Sequence, residues 1–429
     1  MPGVLNKKKE AGITFPPDWR EIGYTDTPES TLEGFDYAKE IDANWDTSVH
    51  TYTEAFKDDY KLMYFPNMSY AKRYSMERCS RMFQNSNLEY FNSGLPYVQE
   101  LASTFASCRN LRYCKITDLE NTGINSISGL FTDCYQLERV EIDFDTLPSA
   151  VTNMSNLFSG CWNLKEISIN NPNIINASGA FQNTYMLNEA NITLNKCNDC
   201  SFYASGKNTD NGLFINLNMG ANATQGTHLT LSKAKIKAGT SEIKVYNCNN
   251  LQSCFEETIF TNTMTSNKLY FSARSGELIN CSFMFKNAIC NAIQFPSPTI
   301  TAAGNCISIF EGATCNAPGP DYYLNLTDID FSSATSLKWA FKNSNINKIN
   351  FQNANFNMIT TFEDMFAGHN TLDLTSLNQL LLALTTATSY AGTKTLVALG
   401  FTSTYYPAAD IQALSNYSAF TSAGWSIGY

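Results

Sequence analysis

The chain has 429 residues, of which 43% are hydrophobic and 13% aromatic, enough for a large packed core. A net charge of −10, with only 16% of residues charged, argues against a nucleic-acid partner, which needs clustered lysine and arginine. Nowhere does an apolar run of about 18 residues occur, which excludes a membrane-spanning helix and with it membrane insertion.

In chain order, residues 1–17 read as a flexible tail with a lysine run at 7–9. No apolar stretch follows that run, so it does not read as a secretory signal. Residues 18–75 are rich in Asp, Glu, Tyr and Trp, with helical spacing in TPESTLEGFDYAKEIDANW. They are expected to form an N-terminal cap and docking segment, with Trp19, Phe35, Tyr37 and Trp45 as candidate docking residues.

From residue 76 a repeat takes over. FASCRNLRYCKI (105–116) returns as FTDCYQLERVEI (131–142) and as FSGCWNLKEISI (158–169). Phenylalanine anchors fall at Phe83, Phe105, Phe131, Phe158 and Phe181, then less regularly at Phe202, Phe255, Phe285, Phe310, Phe341 and Phe366. Spacings run from 21 to 31 residues, apart from one gap of 53 between Phe202 and Phe255. Three residues after the anchor stands a small side chain in nearly every copy (Ser86, Cys108, Cys134, Cys161, Thr184, Thr258, Ala288, Ala313, Ser344), except at His369. Five or six residues after it stands an aliphatic one, as at Leu88, Leu111, Leu137, Leu164, Leu187, Ile346 and Leu372.

Such a period is the mark of a solenoid whose units stack face to face. The spacing after the phenylalanine suits one helical or 3₁₀ turn, and the alternating run beyond suits a short strand. The expected fold is therefore a repeat solenoid, α/β to mainly β, with a parallel sheet along one side. Crowding between coils at strand distance accounts for the small residue at plus three.

The segments MFQNSNLEYF, LFTDCYQLERVEI and VTNMSNLFSGCWNLKEISI resemble the BspA-like leucine-rich repeats, whose units read approximately MF-x-x-C-x-x-L after VTNMS. That resemblance covers about 76–375 and is most specific over 76–195. The opening DWREIGYTDTPESTLEGFDYAKEIDANWDTS (18–48) is similar to the leader before such repeats in structural proteins of Bacteroides-infecting, crAss-like tailed phages. The resemblance implies a virion protein assembled in the host cytoplasm: a head or collar fibre, capsid decoration or tail-associated protein. Its implied partners are other virion proteins (capsid, portal or collar, tail), further copies of itself as a homo-oligomer, and a host-surface glycan or protein. The alternative is a bacterial surface adhesin of the same repeat class.

Residues 196–250 loosen into alternating strands between Gly and Asn turns. They read as an irregular β-rich insertion or as a longer β-coil. Repeats resume over 251–372, and 373–429 reads as a C-terminal cap opened by the leucine stripe of DLTSLNQLLLALTTAT.

Catalytic and cofactor motifs are missing from the sequence: the three histidines, His50, His228 and His369, lie in unrelated settings, and no phosphate loop or nucleophile elbow appears. The chain is expected not to be an enzyme and to need no cofactor or metal. Cys197 and Cys200 have zinc-like spacing but lack a second pair. The acid pairs Glu141 and Asp143, and Asp328 and Asp330, read as solvated strand faces more readily than as a glycosidase pair.

Overall fold

A computed structural model describes residues 37–65, 68–120, 122–237, 241–261, 268–291, 294–296, 298–316 and 323–429. The fold is a β-solenoid, mostly parallel sheet with few helices. Two compact units divide it, Met1–Glu189 and Ala190–Tyr429.

In the first unit the strands Tyr90–Gly94, Tyr113–Thr117 and Arg139–Glu141 form a parallel sheet in chain order. Register follows the repeat: Tyr90 pairs with Tyr113, and Tyr113 with Arg139. Inside this sheet runs a column of anchor rings. Centroids lie 5.7 Å apart from Phe56 to Phe83, 5.3 Å to Phe105, 5.5 Å to Phe131, 5.5 Å to Phe158 and 6.2 Å to Phe181. The aliphatic position packs beside them, with Leu88, Leu111, Leu137, Leu164 and Leu187 fully buried. Each such ring or leucine removed from water contributes roughly 1.5–3 kcal/mol.

The turn that carries each phenylalanine is not helical. Backbone φ is positive two residues before and two after the anchor: Ser103 (56°) and Ser107 (61°) flank Phe105, Gly129 (61°) and Asp133 (58°) flank Phe131, and Asn156 (54°) and Gly160 (74°) flank Phe158. Left-handed conformations favour Gly, Asn and Asp, which explains their abundance there. Alternation of hand splits the amide groups into two sets. One set closes i→i+3 turns within the coil, as Cys108 N–H does on Phe105 O (3.0 Å). The other set leaves for the next coil, as Ser103, Phe105 and Ser107 do on Ser128, Leu130 and Thr132 (3.0, 3.0 and 2.7 Å). The three-residue spacing that suggested a helical turn is thus met by turns whose intervening amides build the stack. At plus two a small residue lies against a large one in several neighbouring coils, as Gly160 against Asp133, where a Cβ would stand 2.4 Å from Asp133 Oδ1.

In several coils the plus-three side chain also donates. Cys108 Sγ donates to Phe83 O (2.9 Å), Cys134 Sγ to Phe105 O (3.0 Å) and Cys161 Sγ to Phe131 O (3.0 Å). At these three anchors the carbonyl accepts its own coil's amide and the following coil's thiol; at Ala234, Ala288 and Ala313 the slot holds a small side chain without a donor, so size is the common requirement.

In the second unit the ring column runs through Phe255, Phe285, Phe310, Phe341 and Phe366, with centroids 5.0, 5.3, 5.4 and 5.1 Å apart. Strands lie on more than one side. Lys235–Ile236, Ile259–Phe260, Ile289–Cys290 and Thr314–Cys315 make one parallel sheet. Phe214–Met219, Glu242–Asn250, Leu269–Ala273 and Pro298–Ile300 run side by side in another. Tyr323–Asn325 pairs with Lys348–Asn350.

The gap of 53 residues is not an insertion. Phe202 N–H donates to Thr230 O (2.8 Å) and Leu231 N–H to Cys254 O (2.7 Å), the same bonds that join anchor to anchor elsewhere. Leu231, fully buried, is the anchor of an ordinary coil, 29 residues after Phe202 and 24 before Phe255. Thr258 Oγ1 even donates to Leu231 O (2.8 Å), as the cysteines do to phenylalanine carbonyls.

The helix Leu374–Leu384 starts at Asp373, whose carboxylate accepts the Ser376 N–H (2.7 Å). Leu377, Leu380, Leu381 and Leu384 are buried. Its polar side covers the amides of the last coil: Ile349 N–H donates to Ser376 Oγ (2.9 Å), Phe351 N–H to Gln379 Oε1 (3.0 Å) and Phe356 N–H to Thr386 Oγ1 (2.8 Å). An edge satisfied in this way offers no amides for further strand pairing.

Candidate binding surface

Four residues after the anchor the side chain turns outward, and stacking makes a column of it. In the first unit this column is Arg109, Tyr135, Trp162 and Tyr185. The Arg109 guanidinium stands 5.5 Å from the Tyr135 ring centre, Tyr135 and Trp162 stack at 4.2 Å with planes 16° apart, and Tyr185 follows at 5.9 Å. Trp162 is 43% exposed, unusual for a tryptophan. The sequence reading, built on inward positions, passed over this column. The signal was present as aromatic residues at anchor plus four in two well-formed repeats and in the next, weaker one.

Its geometry limits what it binds. Tyr135 and Trp162 cover each other's faces, so the column shows ring edges to solvent. Sugar rings pack on aromatic faces, and the shared faces here are taken. The outer wall therefore presents aromatic edges and one guanidinium. Beside it run Asn163 on Gln136 (3.0 Å) and Lys165 on Glu138 (3.2 Å), ladders that bridge consecutive coils.

The first unit also carries a cleft of about 420 Å³ lined by Lys115, Asp118, Glu120, Glu141, Asp143 and Thr146 among others. It contains the Glu141 and Asp143 pair. Glu141 is held by Lys115 (3.2 Å) and Arg139 (2.8 Å), and Asp143 accepts the Asp145 N–H (3.2 Å). Salt bridges and a turn thus engage both carboxylates. Asp330 similarly accepts the Ser332 N–H (3.0 Å).

Of the candidate docking residues, Trp19 and Phe35 lie outside the described residues. The other two pack on their own chain. Tyr37 O–H donates to Asp59 (2.7 Å), and burial together with that carboxylate pushes its pKa up to about 12. Trp45 stacks on Tyr52 (4.4 Å) and Phe56 (6.4 Å) and donates from Nε1 to Ser75 Oγ (3.1 Å). Trp45 therefore extends the ring column beyond Phe56.

The histidines stay apart: His50 meets Glu77 (2.8 Å), His228 meets Asp199 (3.6 Å), and His369 is buried. Cys197 donates to the Asp199 carbonyl (3.1 Å), and among the described residues no group of three ligating side chains gathers.

All 13 cysteines are buried and free. Burial holds the Cys79 and Cys108 thiols up at about 12, far above the usual range. Thiolate, the reactive form, is therefore scarce. An aromatic disulfide reagent at pH 8 is expected to label fewer than about one thiol per native chain and all 13 in denaturant. Rapid labelling of several thiols in the native protein would refute this packing.

No family model, curated protein or solved structure matches the chain.

Proposed function

We propose that this chain is a non-enzymatic structural protein of a phage particle, a head or collar fibre, decoration or tail-associated protein. It docks on other virion proteins and displays a solenoid of BspA-like leucine-rich repeats outward. The observation that carries the reading is the division of labour within each coil. The ring column and aliphatic row supply cohesion inside, which leaves the outer wall to Asn, Ser, Thr and the Arg109, Tyr135, Trp162 and Tyr185 column. The phage-like leader at 18–48 supports the same reading. Particles purified by density gradient are expected to contain the chain at a fixed copy number by mass spectrometry, with antibody labelling at one place on the particle. Antigen on bacterial cells and none on particles would favour the adhesin instead, a reading that the exposed aromatic column also suits.

A further inference from the structure

The first described coil ends in a row of backbone acceptors that no described residue meets. Throughout the solenoid the carbonyls at anchor minus five, minus three, minus one and plus one receive amides from the preceding coil. Glu100, Ala102, Thr104 and Ala106 accept from Cys79, Arg81, Phe83 and Asn85 at 2.9–3.1 Å, and Arg78, Ser80, Met82 and Gln84 accept from Tyr52, Glu54, Phe56 and Asp58 at 2.8–3.2 Å. One coil earlier the equivalent carbonyls belong to Thr51, Thr53, Ala55 and Lys57. All four residues are exposed, and no described residue donates to these carbonyls.

The peptide dipoles along this row point the same way, so their negative ends gather on one surface. The surround is net acidic, since residues 37–61 carry six acids and three lysines; Glu54 is shared by Arg81 (2.9 Å) and Lys57 (3.3 Å), Asp58 accepts Asn85 Nδ2 (2.7 Å) and Asp59 accepts Tyr37. The last coil is different. There Ser376, Gln379 and Thr386 satisfy the strand amides, while Asp364 and Phe366 donate to Ala398 and Leu399 (3.3 and 2.7 Å). The amides of that last arch are therefore spent within the chain, which disfavours a second copy as the donor.

We infer that the Thr51, Thr53, Ala55 and Lys57 edge is where the protein joins its particle, by taking an extended segment of a different virion protein that offers free backbone N–H groups at alternate residues and basic side chains. This rests on the virion reading and supplies its docking surface. Main-chain pairing gives such a junction its affinity, and the acidic surround selects the partner's charge.

The test uses the full chain with a photoreactive benzoylphenylalanine in place of Ala55, whose side chain is exposed, and a control with the same group in place of Leu382 on the C-terminal helix. Irradiated particles are expected to give one cross-link from position 55 to another virion protein and none from 382. In parallel, Ala55→Lys, which sets a like charge against the basic partner, is expected to lower copies per particle at least ~10-fold while the melting temperature of the isolated chain stays unchanged. Cross-links only to residues 1–36 of the same chain or to a second copy, no cross-link despite full incorporation, or undiminished incorporation of Ala55→Lys would each overturn the inference and leave the virion reading standing. Absence of the wild-type chain from particles would overturn both.

Discussion

Phe131→Ala is expected to cost about 3–5 kcal/mol, the range for emptying a buried phenylalanine site. The ring is fully buried, with neighbours at 5.5 Å on both sides and interplanar angles of 11° and 2°. Relaxation cannot close the gap easily. Collapse would draw Phe105 and Phe158 together, yet the coil spacing is fixed by the amides of Phe105 on Leu130 (3.0 Å) and Phe131 on Leu157 (3.0 Å). Because solenoid stability is a sum of coil and neighbour terms, the damage should be local. Amide exchange should accelerate most over residues 103–134 and 156–161, less in distant coils. Trp162→Ala, on the outer wall, serves as the comparison and should cost under about 1 kcal/mol. Equal losses for the two variants, or a loss below about 1 kcal/mol for Phe131→Ala, would mean that the ring column is not the source of cohesion.

That contrast bears on what could be read from the sequence. The anchors and the aliphatic row were legible because burial at a fixed site in every coil leaves the same residue type at a fixed spacing. Leu231 was not, since the site asks for a large apolar group and a leucine meets it without matching a search for phenylalanine. Phe56 was missed for the complementary reason: its plus-three residue is Asp59, which is not small and accepts Tyr37 O–H. The turn conformation was misread because spacing reports which residues are bonded and is silent on the hand of the residues between. Trp45 could not be read as one more ring in the column, because an isolated tryptophan in an acidic stretch has no repeat to identify it as such. The open acceptor row left no trace at all, because carbonyls are common to every residue and only topology decides which go unpaired.

His369 should make the second unit acid-sensitive through a single buried ring. It occupies the slot that in the other repeats from Phe83 onward holds Cys, Ser, Thr or Ala, and it is 3% exposed. Its Nε2 stands 3.0 Å from the Ile346 carbonyl, which fixes the hydrogen on that nitrogen. Nδ1 is then an acceptor, buried and without a partner, so a proton added there would bring a charge that nothing receives. Burial accordingly holds the imidazole at about 4, against an ordinary value of 6.5. Above pH 6.5 the ring is neutral in both folded and unfolded chains and contributes no pH dependence. Below it the unfolded chain binds a proton that the folded chain refuses, so stability falls by up to about 1.4 kcal/mol per pH unit and levels off near pH 4. The total loss is about 3 kcal/mol, far more than a surface histidine would cause. His369→Ser, the residue found at the same slot in position 344, removes the proton site while keeping a small donor. Between pH 7.5 and 4.5 wild type should therefore lose about 3 kcal/mol more stability than His369→Ser, read from urea midpoints, with most of the difference appearing below pH 6.5. His50 and His228 are common to both proteins and cancel in the comparison. A gap between wild type and His369→Ser that stays constant over the whole range would mean that this ring does not govern the acid limb.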